Sequence, residues 1–370
     1  MYPKKIKKWK RNHRENIICC FFRIYFIYLT IAIIITFIIF LTYKSKTSPE
    51  LKIKINSISR TDAYNRGMDI INYIWDYDFA KNGSEKEGSI ELPSYLKEKK
   101  SKKASGIPYC WGGYISVDIS NQPDVENFRD AMIKGYTAGN VKSSGKYQYF
   151  TAGLDCSGFV SAVYKLPVKC STKSFNQYFR KVSMKDLLPM DIINCEKNHV
   201  LIFLENTKDG KGIITMEESA SKEKSVIGYR SFDEIKKGIN GSPYIAMRYK
   251  GIVEDGFKPE LDENEYNNSI QLSTLIYNKS INAGYIDYAD DIDYFKLNSE
   301  NKSGYEINVI SMPENCIMDV TDKNGTVIAK IREKGCFKIN PVTIQLYIKV
   351  YGVNFAYNNK ERYCFTITKL

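Results

Sequence analysis

Ala152-Gly153-Leu154-Asp155-Cys156-Ser157-Gly158-Phe159-Val160 reads as a turn that delivers a cysteine to the first turn of a helix. Gly153 supplies backbone freedom for the turn. Asp155 suits an N-cap, because its carboxylate accepts from the free N–H groups at a helix start. Phe159, Val160, Val163 and Tyr164 then recur at helical spacing until Pro167 ends the pattern. Cys156 would sit where the helix dipole and unpaired N–H groups favour a thiolate, and the same N–H groups would hold an oxyanion. Taken alone, a cysteine is a small buried hydrophobe. The Asp before it and the Ser-Gly after it point instead to a nucleophile.

A cysteine nucleophile needs a base, which the fold and not the local sequence brings near. The chain has two histidines. His13 lies in a basic N-terminal tail ahead of an apolar segment. His199 opens the strand-like run His199-Val200-Leu201-Ile202-Phe203-Leu204, 43 residues after Cys156. His199 is therefore the expected partner within the chain.

These stretches resemble the NlpC-type cell-wall cysteine peptidases, a papain-like family. Gly153 to Val160 is similar to the family's nucleophile motif. Ile107-Pro108-Tyr109-Cys110-Trp111-Gly112-Gly113 resembles its tyrosine and double-glycine motif. Leu188-Pro189-Met190-Asp191-Ile192 resembles the Pro-Gly-Asp-Leu turn before the histidine strand, with Met190 in the glycine position. The third polar residue of the family lies on the next strand, here Ile213-Ile214-Thr215-Met216-Glu217-Glu218-Ser219, which points to Glu217. The family more often has His, Asn or Gln there, and a glutamate is closer to the related CHAP amidases. The resemblance implies an α+β papain-like domain over residues 57–250 with Cys156, His199 and Glu217 catalytic. It also implies that Tyr109, Asp155 and Ser157 position substrate or oxyanion, and that no cofactor is required.

Upstream of that domain, residues 1–16 carry Lys4, Lys5, Lys7, Lys8, Lys10, Arg11 and Arg14, and Ile24 to Tyr43 is uncharged. At ~1.5 Å per residue such a run spans about 30 Å, one bilayer core. A cleaved signal peptide would have a shorter apolar core and a small-residue cleavage site, and none is seen near Thr42 to Ser48. The expected order is a cytoplasmic tail (1–16), a membrane helix (17–43) and a stalk (44–56). By the positive-inside rule the rest is extracellular. Thr61-Asp62 is expected to cap a helix carrying Tyr64, Met68, Ile71 and Trp75. A further helix is expected at about Asp124 to Lys134, ahead of Gly135.

The net charge is +12. Residues 1–23 account for +7 of it, which leaves +5 on the remainder and argues against a dedicated nucleic-acid binder. The cysteines show no CxxC spacing, so neither a zinc knuckle nor a redox pair is indicated, and mostly free, buried thiols are expected. Cys19 and Cys20 fall at the inner membrane edge.

Tyr244 to Tyr249 should close the first domain, and residues 251–268 form the expected linker. Beyond it the pattern alternates strictly. Ile344, Leu346, Ile348 and Val350 face one way, Tyr305-Ile307-Val309 and Tyr363-Phe365-Ile367 repeat the pattern, and Asn324-Gly325 marks a hairpin. Residues 269–370 are thus an expected all-β sandwich. Gly284-Tyr285-Ile286 with Asp291-Ile292-Asp293-Tyr294-Phe295 resembles the opening of the bacterial pre-peptidase C-terminal domain. Some relatives of that domain bind calcium or matrix polymers. Asp287, Asp290, Asp291 and Asp293 are the corresponding calcium candidates, an ordinary acidic turn being the simpler reading.

The function implied is a membrane-anchored, extracytoplasmic hydrolase cutting amide bonds in peptidoglycan stem peptides. Its partners would be the cell-wall polymer and the membrane. Amidase or acyl-transfer chemistry on the same scaffold, and a non-enzymatic wall-binding protein, are the alternatives.

Overall fold

Twenty residues, Phe21–Phe40, form an apolar helix (α1) long enough to cross a membrane. Its two threonines return their hydroxyls to the helix's own carbonyls. Thr30 donates to Phe26 O at 3.0 Å and Thr36 to Ala32 O at 2.9 Å, so neither hydroxyl needs water. The computed structural model describes residues 21–40, 54–83, 88–143, 145–259, 266–298, 303–340 and 345–370. The expected tail with Cys19 and Cys20, both ends of the expected span, most of the stalk, residues 260–265 of the linker and Ile344 lie outside the described residues.

Ile55–Leu370 forms a compact unit of its own. Its first half contains β1 (Ile58–Ser59), α2 (Arg60–Ile71), β2 (Ile74–Tyr77), α3 (Phe79–Asn82), β3 (Lys102–Ser105), α4 (Phe128–Ile133), β4 (Thr137–Ala138), β5 (Thr151–Ala152), α5 (Cys156–Val163), β6 (Phe179–Lys181), β7 (Ile192–Cys195), β8 (His199–Asn206), β9 (Gly212–Ser219), β10 (Lys224–Ser231), α6 (Phe232–Lys237), β11 (Tyr244–Tyr249) and β12 (Ile252–Val253). Six of these strands form a sheet in the order β10-β9-β8-β7-β11-β6, antiparallel throughout. Helix α5 lies on β8 and β9, and α2 packs on α5. Phe159, Val160 and Val163 are fully buried in this core with Ile202, Ile214 and Met216. Burying each such side chain contributes roughly 1.5–3 kcal/mol. The opposite face of the sheet holds a smaller cluster, Ile193, Leu201, Phe203, Ile213 and Ile235, covered by α6.

Two helix expectations are corrected. Helix α2 starts one residue after Ser59, whose hydroxyl accepts from Asp62 N at 3.0 Å, so Ser59 and not Thr61 is the cap. It ends at Ile71, and Trp75 lies on β2 with its indole donating to Gly106 O. Helix α4 is a short turn and a half capped by Asn127, three residues later than the sequence reading placed its start.

The second half is a sandwich of β13 (Thr274–Ile276), β14 (Ile281–Ile286), β15 (Ile292–Asn298), β16 (Tyr305–Ser311), β17 (Cys316–Thr321), β18 (Val327–Ile331), β19 (Gly335–Ile339), β20 (Gln345–Gly352) and β21 (Asn358–Lys369). One sheet runs β13-β15-β20-β17-β18 and the other β14-β21-β16-β19. Pairing is antiparallel except for β13, which joins β15 in parallel. The alternating residues Leu346, Ile348, Val350, Tyr305, Ile307, Val309, Tyr363, Phe365 and Ile367 form its buried core. The Asn324-Gly325 turn joins β17 to β18, with Gly325 at φ 82°.

The expected linker is not a free connector. Ile252 pairs with Ile58, and Phe257 and Tyr266 pack on the first core. Past it, the β14–β15 turn also docks there. Tyr288 is buried in the first core, Ala289 N donates to Asn72 at 2.9 Å, and Asp290 pairs with Lys224 and accepts from Ser105 at 2.7 Å.

Candidate active site

The turn ahead of α5 is fixed by a close backbone crossing. Gly153 has φ 145°, and a Cβ there would lie 2.1 Å from Pro108 O. The crossing sets Tyr109 beside Leu154, two residues from the cysteine. Asp155 caps α5: its Oδ1 accepts from Gly158 N at 2.6 Å and from the Ser157 hydroxyl at 2.8 Å. Its Oδ2 accepts from Lys169 at 2.7 Å. The side chains of Asp155 and Ser157 are therefore engaged with the turn itself. They fix the helix start at which Cys156 sits. The N–H groups of Cys156 and Ser157 have no partner among the described residues, as the first turn of a helix dictates.

His199 begins β8 immediately after the tight turn from Cys195. The Cys156 thiol lies close enough to the His199 ring to raise its pKa. His199 Nε2 lies 2.7 Å from Glu217 Oε2, which leaves Nδ1 as the nitrogen for the thiol. Burial alone would lower the pKa of His199, but hydrogen bonds and charge from Cys156 and Glu217 outweigh it and raise the group from 6.5 to about 10. Because the folded value lies above the ordinary one, the pair's contribution to stability is present in full below about pH 6.5. It is lost as pH rises through about 10.

Glu217, on the middle of β9, is 1% exposed. Burial would raise its pKa, yet His199 and Arg230 hold it below the ordinary carboxylate value. Arg230 Nη2 reaches the same Oε2 at 2.6 Å, and Thr215 donates to Oε1 at 3.3 Å. Gly228 on β10 makes room for this carboxylate, since a Cβ there would lie 2.4 Å from Oε1. Glu218 turns to the other face, where Ser225 donates to it and burial keeps its carboxyl well above the usual range.

Tyr109 is 7% exposed. Burial first, then the nearby Cys156 and Asp155, push its hydroxyl above the ordinary phenol range, so it stays a donor next to the sulfur. The structure thus brings together Cys156, His199, Glu217 and Tyr109.

No known family model matches the chain, and no curated protein does either. Among solved structures it is similar to the pre-peptidase C-terminal domain of a collagenase from Bacillus anthracis (14% identity, 26% of this chain and 94% of that one, TM-score 0.22). It is similar also to the Aeromonas hydrophila periplasmic inhibitor of g-type lysozyme PliG (11% identity, 26% and 91%, TM-score 0.22). A third similarity is to the insecticidal delta-endotoxin Cry8Ea1 from Bacillus thuringiensis (8% identity, 49% and 41%, TM-score 0.19). At these scores the likenesses carry no argument about the site.

The calcium candidates do not converge. Asp291 accepts from Asp287 N at 2.6 Å, Asp293 accepts from the Tyr363 hydroxyl at 2.6 Å, and Asp290 is held by Lys224 and Ser105. Three of the four carboxylates are thus engaged within the fold, and no metal-competent cluster of His, Cys, Asp and Glu occurs among the described residues. The cysteines described are free, and Cys336 is exposed where a buried thiol was expected.

Arg230 and Lys169 were not legible as site residues, because each reaches its carboxylate through strand register or a loop return and neither belongs to a local motif. The substitution Glu217→Gln keeps the shape and removes the charge. It should lower turnover roughly 10²-fold or more. It should also move the His199 titration down from about 10 toward the ordinary imidazole range, as read by NMR.

Proposed function

We propose that the chain is a membrane-anchored cysteine hydrolase of the papain-like, NlpC type, whose catalytic half lies outside the cell and cleaves amide bonds in peptidoglycan stem peptides. The observation that carries this reading is the hydrogen-bonded pair His199–Glu217 with Cys156, at the start of α5, beside the imidazole. The Cys156 thiolate attacks the amide carbonyl and forms a C–S bond. The N–H groups of Cys156 and Ser157, with the Tyr109 hydroxyl, stabilise the oxyanion. His199 gives its proton to the leaving nitrogen as the C–N bond breaks. Water, deprotonated by His199, then cleaves the thioester to a carboxylate and restores the thiolate. Glu217 orients the imidazole and stabilises its cation.

The substrate class comes from the motifs that resemble the wall peptidases. The orientation comes from the basic residues preceding α1. The C-terminal sandwich, similar in its opening motif to pre-peptidase C-terminal domains, is assigned an accessory part in holding the polymer.

The test is to incubate the full-length chain in detergent, wild type and Cys156→Ala, with peptidoglycan and with soluble stem peptides, and to identify products by mass spectrometry. Fragments from wild type alone support the hydrolase and name the bond. Release of the sugar–peptide linkage would reassign it as an amidase. No fragments, with both proteins sedimenting with the wall, would replace the hydrolase by a binding protein.

A further inference from the structure

Beside His199 lies a cavity of about 460 Å³ whose lining includes Arg230, Lys237, Tyr244, Ser219 and Ser221. Of the carboxylates near it, Glu234 on its wall accepts through Oε2 from Ser231 N and Oγ at 2.7 and 2.9 Å as a helix cap, and Glu217, behind Arg230, is bonded to His199, Arg230 and Thr215. Three donor side chains are open to it. Arg230 is 24% exposed and commits Nη2 to Glu217, with one long contact of 3.5 Å from Nη1 to Tyr229 O. Its Nε, the Lys237 ammonium and the Tyr244 hydroxyl have no protein partner among the described residues. Burial first, with Glu217 nearby, pushes the Tyr244 hydroxyl up to about 12, so it remains a donor at working pH.

The donors Arg230, Lys237 and Tyr244 select a ligand made of acceptors, and a guanidinium with a phenol and an ammonium fits a carboxylate. Its place decides which part of the substrate enters. His199 protonates the leaving nitrogen, so a cavity opening on His199 receives the leaving fragment. We infer that this cavity is a leaving-group subsite that recognises a carboxylate borne close to the scissile nitrogen, held by Arg230, Lys237 and Tyr244. The preferred substrates are then amides whose amine portion is an amino acid or short peptide with a free carboxylate. The inference rests on Cys156 and His199 being the reacting pair. It makes the cavity the determinant of specificity.

The test has one arm that needs no natural substrate. Full-length wild type, Lys237→Ala and Tyr244→Phe are alkylated with iodoacetate and with iodoacetamide, and the Cys156 peptide is quantified by mass spectrometry. The subsite predicts that wild type favours iodoacetate, and that the iodoacetate-to-iodoacetamide rate ratio drops roughly fivefold or more in Lys237→Ala. An unchanged ratio overturns it. In the second arm, stem-type peptides with a free leaving-group carboxylate are compared with their carboxamides. A kcat/KM preference of roughly tenfold or more for the carboxylate, lowered in both variants, is expected. Turnover without that preference removes the subsite and leaves the hydrolase standing. A ratio that falls in the first arm without turnover of any stem peptide leaves the subsite standing and removes the proposed substrate.

Discussion

Cys156→Ala is expected to lower amide hydrolysis on the order of 10⁴-fold or more, since no other group can form the thioester. The effect separates chemistry from folding. The thiol is half-buried at the first position of α5, and Asp155, which caps the helix, keeps its bonds to Gly158, Ser157 and Lys169. Thermal unfolding of the variant should therefore stay close to wild type while product formation vanishes. The alkaline behaviour of His199 should change as well. The thiolate is one of the two groups that raise its pKa, so removing sulfur moves the imidazole down from about 10. A histidine titration followed by NMR would read this, and a value left unmoved would break the proposed Cys–His pair. Equal turnover in the variant would remove Cys156 as nucleophile.

The largest expected effect on stability lies elsewhere, at Asp191. Its carboxylate is 1% exposed and takes both Arg248 Nε and Nη2, at 2.9 and 2.7 Å, with Arg60 Nη1 at 3.3 Å and Leu188 N at 3.0 Å. Arg60 is itself 2% exposed. Asp191→Ala would strip Arg248 of its carboxylate and leave Arg60 to Glu254 and Pro189 O alone, at a cost of roughly 3–5 kcal/mol. Urea unfolding should show the loss directly, with Asp191→Asn milder because the shape and one acceptor remain. The turn also aligns the histidine strand, since Phe203 N donates to Asp191 O and Met190 N to Phe203 O. Residual folded protein should thus lose activity through misplacement of His199, even though Asp191 does not touch the reacting atoms. A loss under about 1 kcal/mol would show that the two arginines find other partners.

The helix start at Cys156 and the strand of His199 were legible from local chemistry: an acid before a cysteine before Ser-Gly caps a helix, and the apolar run from His199 reads as a strand. Glu217 was assigned through the resemblance, and β9 is buried along its whole length. The sandwich was legible in the buried alternation of Leu346, Ile348 and Val350. What failed depended on distance in the chain. The N-cap role of Asp155 was legible, but its ion pair with Lys169, which returns through a loop, was not. The four aspartates near β15 look like ligands until Lys224 and Tyr363 take two of them. Arg230 finds Glu217 only through the β9–β10 register, in which Glu217 faces Val226. Met190 holds φ 71°, a conformation that glycine adopts without strain. It stays there because its side chain is buried and its carbonyl accepts from Tyr164.

Tyr288, contributed by the sandwich to the core of the first half, ties the folding of the two halves together. The segment that ends at Tyr249 carries Cys156, His199 and Glu217, but the β14–β15 turn supplies Tyr288 to its core and Asp290 to Lys224. A truncation at residue 250 would keep the three candidate residues and remove that piece of their support, so the first half is not a free-standing module.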